Sequence, residues 1–486
     1  MFSWKKGKNM DTKLSVLQTV LMLLCATAIA QETIDPARFV GERWFGLYLN
    51  KGKVGFMQQA ITTGENGQVY FKEDGTFRMN MSGVKQEMTV NSVRTYARTG
   101  ELISIDYKLT DLLSTTEFHA QVVDNQLKLV KIMAGQTIER YFPLPQEQLK
   151  DALKFQLWMQ KKPKVGEELV SFLFEPLYEQ ELTCVSTIIG TEERLFNGVT
   201  TKLYKIQTRV NILNLEQTSY VTEEGLVLED ISGEIFTMRL EPKEVAKDIN
   251  YSNDVLVSNA AIVDKPIQNP RERESLKLIL NGPLNENHLF CDERQQIVKE
   301  EDHFVFTAKR VNADTLPKLT LPIQEEEVKR WAQPSNFIQS DHPDMVKTAK
   351  EIIDNTTDAW EAAQKICTWV KENMRTSYSA QLTNALDVLK HREGDCTEHS
   401  LLFVGLARAI GIPAREVAGL IYVDSPKPGF YFHQWAKVWI GKWVDMDPTF
   451  NQTLVDVTHI KIGEGDIIEQ IKLIPLVGRI QISVIE

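Results

Sequence analysis

The sequence has 486 residues, of which 43% are hydrophobic and 25% charged, and its formal net charge is −11. This length predicts two to four domains, and the composition is that of an ordinary globular protein. The negative charge argues against nucleic acid or an anionic membrane surface as the main partner. After residue 30, no segment approaches the ~18 apolar residues that a membrane-spanning helix requires.

The N-terminus has the three parts of a secretory signal peptide. Four lysines precede an apolar run over residues 14–30, and Ala28-Ile29-Ala30-Gln31 fits the small-residue pattern at which such signals are cleaved. We therefore expect residues 1–30 to be removed and the protein to be exported, either to the periplasm or to the medium. A retained single-pass anchor is the alternative. Met1 and Met10 are both compatible with the first residue.

Residues 31–250 have the pattern of an antiparallel β domain. Turn signals such as Asp74-Gly75 recur about every ten residues, and the segments between them alternate apolar and polar side chains. One face of each strand is then buried and the other is wet, which predicts a β-sandwich or an open barrel. A helical segment over residues 146–160 interrupts the strands. We find no catalytic constellation here and interpret the region as a scaffold for binding or spacing.

The remaining residues divide into two regions. Residues 251–325 are predicted to form a small β region or a linker, with strands at 275–280 and 303–306. Residues 326–486 begin with apolar residues at helical spacing, which changes to strand patterns after Pro413. The predicted helices are 343–353, 358–372 and 384–390, and the predicted late strands are 415–423, 430–440 and 443–447.

Cys184, Cys291, Cys367 and Cys396 are the cysteines that follow the signal segment. Their spacing is wide, and no CxxC pair or Cys/His cluster indicates a metal, so we expect neither a metal nor a cofactor. Cys367 lies on the apolar face of a predicted helix and is interpreted as a small buried hydrophobic residue. The sequence leaves open whether Cys184 and Cys291 pair.

Cys396 is the candidate nucleophile. It lies in Gly394-Asp395-Cys396-Thr397-Glu398-His399, directly before a helical pattern that Gly411 ends. Asp395 and Glu398 have the spacing of N-cap and N3 residues, which puts Cys396 at the first helical position. Unpaired amides and the positive end of the helix dipole favour the thiolate there. The thiolate is the reactive form of the side chain.

His433 and Asp447 are the candidate base and the candidate group that orients it. A nucleophilic cysteine needs both, and both residues lie on the predicted hairpin 432–449. They can act together only from the same face of the sheet. Asp445 shares the face of Asp447 and is the reserve candidate.

The length of the hairpin loop decides whether the two side chains share a face. A two-residue turn at Gly441-Lys442 would put Asp447 opposite Ala436 and away from His433. A three-residue loop, Trp439-Ile440-Gly441, would put His433 directly opposite Asp447 and give glycine the left-handed position of such loops. We therefore predict an odd loop or a compensating bulge.

Residues 385–449 resemble the transglutaminase-like core of the papain-like cysteine enzymes. The similar motifs are GDCTEHSLLFVGLARAIGIPAR and HQWAKVWIGKWVDMDPT, and the similarity extends over residues 340–486, including Thr458-His459-Ile460-Lys461. The resemblance implies that Cys396 is the nucleophile, His433 the base and Asp447 the group that orients the base. It also implies an α+β fold for residues 326–486. Residues 31–250 resemble the N-terminal halves of exported bacterial proteins that carry this core.

The activity implied by the resemblance is acyl transfer on protein or peptide amides through a thioester. Water or a second amine would resolve the thioester, so hydrolysis and transamidation both stay open, as does the oligomeric state. The expected partner is a protein or peptide substrate and not a nucleic acid. The alternative, from another functional class, is a non-catalytic binding or assembly protein that retains the fold.

Overall fold

The structure of the protein is a computed structural model, and the predicted signal segment 1–30 lies outside the residues that it describes. The described residues are 34–49, 52–81, 84–110, 115–133, 136–196, 198–211, 216–233, 236–249, 260–335, 337–377, 384–465, 476 and 478–485. Among the described helices, none has both the length and the apolar character needed to cross a bilayer.

One continuous antiparallel sheet fills the first half of the chain, and fourteen strands of the described residues belong to it. The strands are β1 (Gly41–Leu49), β2 (Gly52–Thr63), β3 (Val69–Met81), β4 (Val84–Tyr96), β5 (Leu102–Thr110), β6 (Thr115–Val123), β7 (Gln126–Met133), β8 (Gln136–Pro143), β9 (Glu168–Glu175), β10 (Gln180–Phe196), β11 (Val199–Val210), β12 (Glu216–Thr222), β13 (Val227–Ser232) and β14 (Phe236–Leu240). Strands that follow each other in the chain are neighbours in the sheet, except that β1 pairs with β14 and that β8 and β9 are its two edges.

Two short helices, α1 (Leu149–Ala152) and α2 (Lys154–Gln160), connect the edges of this sheet. The sheet curls, since the rings of Phe142 on β8 and Phe174 on β9 lie 5.4 Å apart. Leu149 of α1 is buried in the core that this curl encloses. The predicted antiparallel β region and its helical interruption are confirmed, and a curled single sheet fits the open-barrel alternative better than two separate stacked sheets.

The second half contains helices and strands in a mixed order. After α3 (Lys243–Lys247), the helices are α4 (Pro343–Ile353), α5 (Ala359–Asn373), α6 (Ala385–His391) and α7 (Cys396–Ala409). The strands are β15 (Ala261–Ile262), β16 (Ser275–Asn281), β17 (Gln295–Glu300), β18 (His303–Lys309), β19 (Arg375–Thr376), β20 (Glu393–Gly394), β21 (Ala414–Val423), β22 (Gly429–Trp439), β23 (Trp443–Met446), β24 (His459–Glu464) and β25 (Gln481–Val484). Short 3-10 turns lie at Pro36–Phe39, Glu286–His288, Ala313–Thr315 and Lys329–Ala332.

Two sheets organise this half. The first has the order β15-β22-β21-β24, with β23 on the outside of β22, and the second has the order β17-β18-β16-β25. The predicted strands at 275–280 and 303–306 are therefore confirmed as β16 and β18. The two sheets share one apolar core, in which Leu278 and Phe306 meet Leu420, Phe430 and Ile482. The domain limits drawn from the sequence stay a prediction.

Helices α4, α5 and α6 pack around α7, and α7 packs against β22. Ile366 of α5, Leu402 of α7 and Val438 of β22 belong to one apolar cluster and are fully buried. The predicted helices match the observed ones to within one residue at each end, because their apolar residues recur at three- and four-residue spacing. The cluster fixes the start of α7 against the middle of the sheet.

Candidate active site

Cys396 begins α7, at the position that the sequence predicts. The Asp395 carboxylate accepts a hydrogen bond from the Thr397 amide at 2.7 Å, and the Asp395 amide donates to the Glu398 carboxylate at 2.7 Å. Asp395 and Glu398 thus form a reciprocal capping box. The thiol of Cys396 is free and half-buried. The cap holds the sulfur at the helix start without using the amide of Cys396 itself.

The surroundings of Cys396 favour the neutral thiol. Burial raises the pKa of Cys396 well above its ordinary value, and the carboxylates of Asp395, Glu398 and Asp447 raise it further. The backbone N–H of Gln434 has the opposite effect, since it donates toward the sulfur. Burial and these carboxylates therefore oppose the thiolate that the helix start favours. The Gln434 contact also fixes Cys396 next to β22.

The hairpin β22–β23 has an odd loop, as predicted. Trp439 pairs with Trp443 and Ala436 with Met446, which leaves the three-residue loop Ile440-Gly441-Lys442. Gly441 has φ +92°, a conformation that favours glycine. The predicted loop, Trp439-Ile440-Gly441, is wrong by one residue, because glycine occupies the middle of the loop and not its end.

His433 and Asp447 are in contact although they are not directly opposite each other. The last strand pair is Ala436 with Met446, and Asp447 lies beyond it, in a turn closed by backbone hydrogen bonds with Gln452. His433 Nε2 lies 2.8 Å from Asp447 Oδ2. Asp447 is fully buried, so this contact takes place away from bulk water.

Backbone amides orient the Asp447 carboxylate. Its Oδ1 accepts hydrogen bonds from the amides of Thr449 at 2.8 Å and Phe450 at 3.2 Å. Burial opposes ionisation, but the hydrogen bonds and charges of His433 and His459 outweigh it and hold the pKa of Asp447 well below its ordinary value. Asp447 is therefore an ionised carboxylate with a fixed orientation, which suits a group that orients a histidine.

Asp445, the reserve candidate, lies in a different cluster. It pairs with Lys437 across the hairpin and forms ion pairs with Lys461 at 3.3 Å and Arg294 at 3.5 Å. Burial opposes its ionisation, but these cations lower the pKa of Asp445 far below its ordinary value. The structure thus brings Asp447, and not Asp445, to His433.

His459 and Asp456 belong to the same buried network, and sequence reasoning assigned them no role. His459 Nε2 lies 3.1 Å from Asp447 Oδ2, and His459 Nδ1 lies 3.3 Å from Asp456 Oδ1. The segment around His459 is part of the resemblance, but its strand, β24, is separated from β22 by β21. Only the order of the strands in the sheet shows that the side chain of His459 reaches Asp447.

A glycine allows this contact across the middle strand. Gly419 of β21 pairs with His433 on one side and with Lys461 on the other. A Cβ atom at Gly419 would lie 2.0 Å from the carbonyl oxygen of Ile460 and 2.9 Å from the ring of Trp435. The missing side chain therefore leaves the space in which Trp435 packs against His459.

The side chains of His433, Asp447 and His459 could also be considered as metal ligands. Their ligand atoms lie within 4.8 Å of one another. However, Asp447 Oδ2 is at hydrogen-bonding distance from both imidazole rings. Hydrogen bonds therefore account for the grouping, and the donor set gives no reason to assign a metal.

An aromatic side chain borders the site on its solvent side. Phe450 is 43% exposed, and its ring lies 5.4 Å from the imidazole of His433. The buried ring of Trp435 stacks on the same imidazole at 6.0 Å. The histidine is therefore held between a buried and an exposed aromatic ring.

One segment of the chain matches a known protein family. Residues 346–448 match the family model of the transglutaminase-like superfamily. This segment of the chain belongs to that superfamily. The matched transglutaminase-like segment includes Cys396, His433 and Asp447, whereas His459 follows it.

Similar proteins cover only part of the chain. An uncharacterized protein of Mycobacterium leprae is 30% identical over 89 residues, which are 17% of this chain and 31% of the relative. The chain thus spans about a third of the length of the curated relative that it matches. A candidate cysteine protease from Cytophaga hutchinsonii is 19% identical, with 43% of this chain and 83% of the other covered and a TM-score of 0.30. A candidate protease from Parabacteroides distasonis is 10% identical, with 80% and 65% covered and a TM-score of 0.21.

Proposed function

We propose that the protein is an exported, cysteine-dependent acyl-transfer enzyme that acts on protein or peptide amides. Cys396 is the nucleophile, His433 exchanges protons with it, and Asp447 orients His433. The observation that carries the proposal is the buried 2.8 Å contact between His433 Nε2 and Asp447 Oδ2, on the strand whose Gln434 amide faces the Cys396 sulfur. Export rests on the signal pattern of residues 1–30, and the curled sheet is assigned to substrate recruitment.

The Asp447 contact assigns the two nitrogens of His433. An ionised carboxylate only accepts hydrogen bonds, so Nε2 carries the proton that it donates to Asp447 Oδ2. The other ring nitrogen, Nδ1, then accepts the proton from the thiol of Cys396. Because the surroundings raise the pKa of this thiol, the proton leaves as the sulfur attacks and not beforehand.

The first half of the reaction forms a thioester. Cys396 Sγ bonds to the carbonyl carbon of the amide while its proton moves to His433 Nδ1, and the carbonyl oxygen takes the negative charge. The capping box occupies the amides of Thr397 and Glu398, so the amide of Cys396 is the donor assigned to this oxyanion. The C–N bond then breaks, and the departing amine takes the proton from His433.

The second half releases the acyl group. Water, or a second amine, attacks the thioester carbon and gives a proton to His433 Nδ1. The C–S bond breaks, and the proton returns to the sulfur, which restores the thiol. Water gives a carboxylic acid, whereas an amine gives a new amide. The nucleophile that reaches the thioester decides between hydrolysis and transamidation.

Mass spectrometry of a peptide mixture incubated with a primary amine tests the proposal. We expect the wild-type protein to give cleaved, deamidated or amine-linked peptides, and Cys396→Ala to lower their rate of formation by at least about 10³-fold. Cys291→Ala is the matched control, because Cys291 is also a free cysteine but is exposed and lies outside the site. Equal turnover by the wild type and Cys396→Ala would contradict the proposal.

One observation favours the non-catalytic alternative, namely the raised pKa of Cys396, which keeps the sulfur in its less reactive form. A binding protein would give no product in the same mixture with either the wild type or Cys396→Ala. The ordered Asp447 carboxylate argues for the enzyme, since ionisable groups with strongly shifted pKa values cluster at catalytic sites.

A further inference from the structure

His459 is enclosed between two carboxylates. Its Nε2 lies 3.1 Å from Asp447 Oδ2, and its Nδ1 lies 3.3 Å from Asp456 Oδ1. The side chain is fully buried, and the ring of Trp435 packs against it at 5.2 Å in an edge-to-face arrangement. Neither ring nitrogen is therefore exposed to bulk water.

The hydrogen bonds around the two carboxylates define their protonation. Asp447 Oδ1 accepts hydrogen bonds from two backbone amides. The Asp456 carboxylate accepts hydrogen bonds from the Thr458 amide at 2.7 Å and from the Arg271 guanidinium at 2.9 Å. Groups that accept this many hydrogen bonds are ionised and offer only lone pairs. Both nitrogens of His459 must then carry a proton, because a neutral ring would turn a lone pair toward one carboxylate.

The charges of the network cancel when His459 is doubly protonated. The titratable or charged groups that face His459 from the surrounding elements are Asp447, Asp456, His433, Arg271 through Asp456, and Arg294 through the His459 carbonyl oxygen. The negative charge of Asp447 is balanced by the positive charge of His459, and that of Asp456 by Arg271. A buried carboxylate without such a partner would be strongly destabilised.

We propose that His459 is a positioning residue, a permanent imidazolium that holds the Asp447 carboxylate against His433 and balances its charge. The inference rests on the role of Asp447 in the proposed function. The thiol is affected through Asp447, which is one of the groups that raise the pKa of Cys396. With the Asp447 charge balanced by His459, less negative charge opposes ionisation of the Cys396 thiol. The raised pKa of His459, produced by its two carboxylates against the effect of burial, agrees with this charge state.

The charge state is measured directly by long-range ¹H–¹⁵N correlation spectroscopy of the full-length protein labelled in its histidines. We expect both ring nitrogens of His459 to be protonated at about pH 8, where an ordinary histidine is neutral. Loss of the signal in His459→Gln assigns it. If that variant does not fold, a shift of the signal in Asp456→Asn assigns it instead. A neutral His459 ring in the wild type at about pH 7 would overturn the proposal.

The effect on the thiol is measured from the pH profile of Cys396 alkylation by iodoacetamide. In His459→Gln, the amide replaces the Nε2–H donor but not the charge, so the alkylation midpoint should move to higher pH. At a fixed pH below the midpoint, each unit of this shift lowers the rate by about tenfold. Asp456→Asn should move the midpoint in the same direction, since it removes the carboxylate that requires the second proton.

The matched control is His303→Gln, because His303 also pairs with an aspartate, Asp302, but lies outside the network. An unchanged midpoint in a folded His459→Gln would overturn the positioning role. Neither measurement requires turnover. A charged His459 in a protein that processes no peptide would therefore contradict the proposed function and leave this charge assignment standing.

Discussion

Two neighbouring aspartates lie in different surroundings. Asp445 faces the cations Lys437, Lys461 and Arg294, whereas Asp447 faces two imidazole rings. Both side chains are buried and both are ionised, so burial and charge do not distinguish them. The difference lies in what each carboxylate orients, and this makes the pair a matched set for mutation.

Replacement of each aspartate by asparagine separates catalysis from stability. We expect Asp447→Asn to lower turnover of the peptide mixture by about 10²-fold or more, because it removes the charge that orients His433. Asp445→Asn should keep turnover in the folded protein but cost about 3–5 kcal/mol in the free energy of unfolding, because it leaves buried cations unbalanced. Turnover and denaturant unfolding of both variants check this. The reverse assignment of effects would make Asp445 the residue that orients His433.

At the scale of elements, the sequence predicts that the hairpin loop has an odd number of residues. It does not predict which residues of β22 and β23 pair with each other. His433 and Asp447 can contact each other only from the same face of the sheet. This condition excludes a loop with an even number of residues unless a bulge compensates for it. Glycine with positive φ fits at more than one position of a three-residue loop, so the sequence could not fix the register of β22 and β23. Asp447 reaches His433 because it lies in a turn past the strand end, which no alternation pattern indicates.

Gly419 tests whether the site depends on close packing across β21. An alanine there would place its Cβ 2.0 Å from the Ile460 carbonyl oxygen, so the backbone of β21 or β24 must move. We expect Gly419→Ala to cost about 1–3 kcal/mol in the free energy of unfolding and to slow Cys396 alkylation. Gly190→Ala in β10 is the control, because nothing lies within 4 Å of its added Cβ. Equal stability of the two variants, by denaturant unfolding, would refute the packing argument.

At the scale of the whole molecule, the transglutaminase-like segment is only the centre of a larger unit. β15 extends its sheet, and β25 pairs with β16 beside it. Arg271 also donates to Asp456 of the site network. Sequence patterns located β16 and β18 but not β15 and β17, and they did not indicate that β16 pairs with β25, because pairing over such a separation leaves no local signal. Helices α4 to α6, whose packing is local, were predictable almost to the residue.

Fragments of the chain test this larger unit. About half of the shared apolar core comes from residues before 326, among them Leu278 and Phe306, which are fully buried. Each such side chain contributes roughly 1.5–3 kcal/mol, so losing this half exceeds the ~5–15 kcal/mol stability of a typical domain. We expect residues 260–486 to unfold cooperatively in thermal scans and residues 326–486 not to fold. A cooperative transition in the shorter fragment would instead support the boundary predicted at residue 326.

The pairing of β25 with β16 has a consequence for the order of folding during synthesis. In the curled sheet, most strands pair with their neighbour in sequence, so that sheet can form while the ribosome is still adding residues. The sheet β17-β18-β16-β25 is complete only when Gln481–Val484 pairs with Ser275–Asn281, which lies some two hundred residues earlier in the chain. The apolar core that the two sheets of the second half share therefore forms only after these two strands have paired. The nascent chain carries Cys396 in an unfinished site until Gln481–Val484 have left the ribosome.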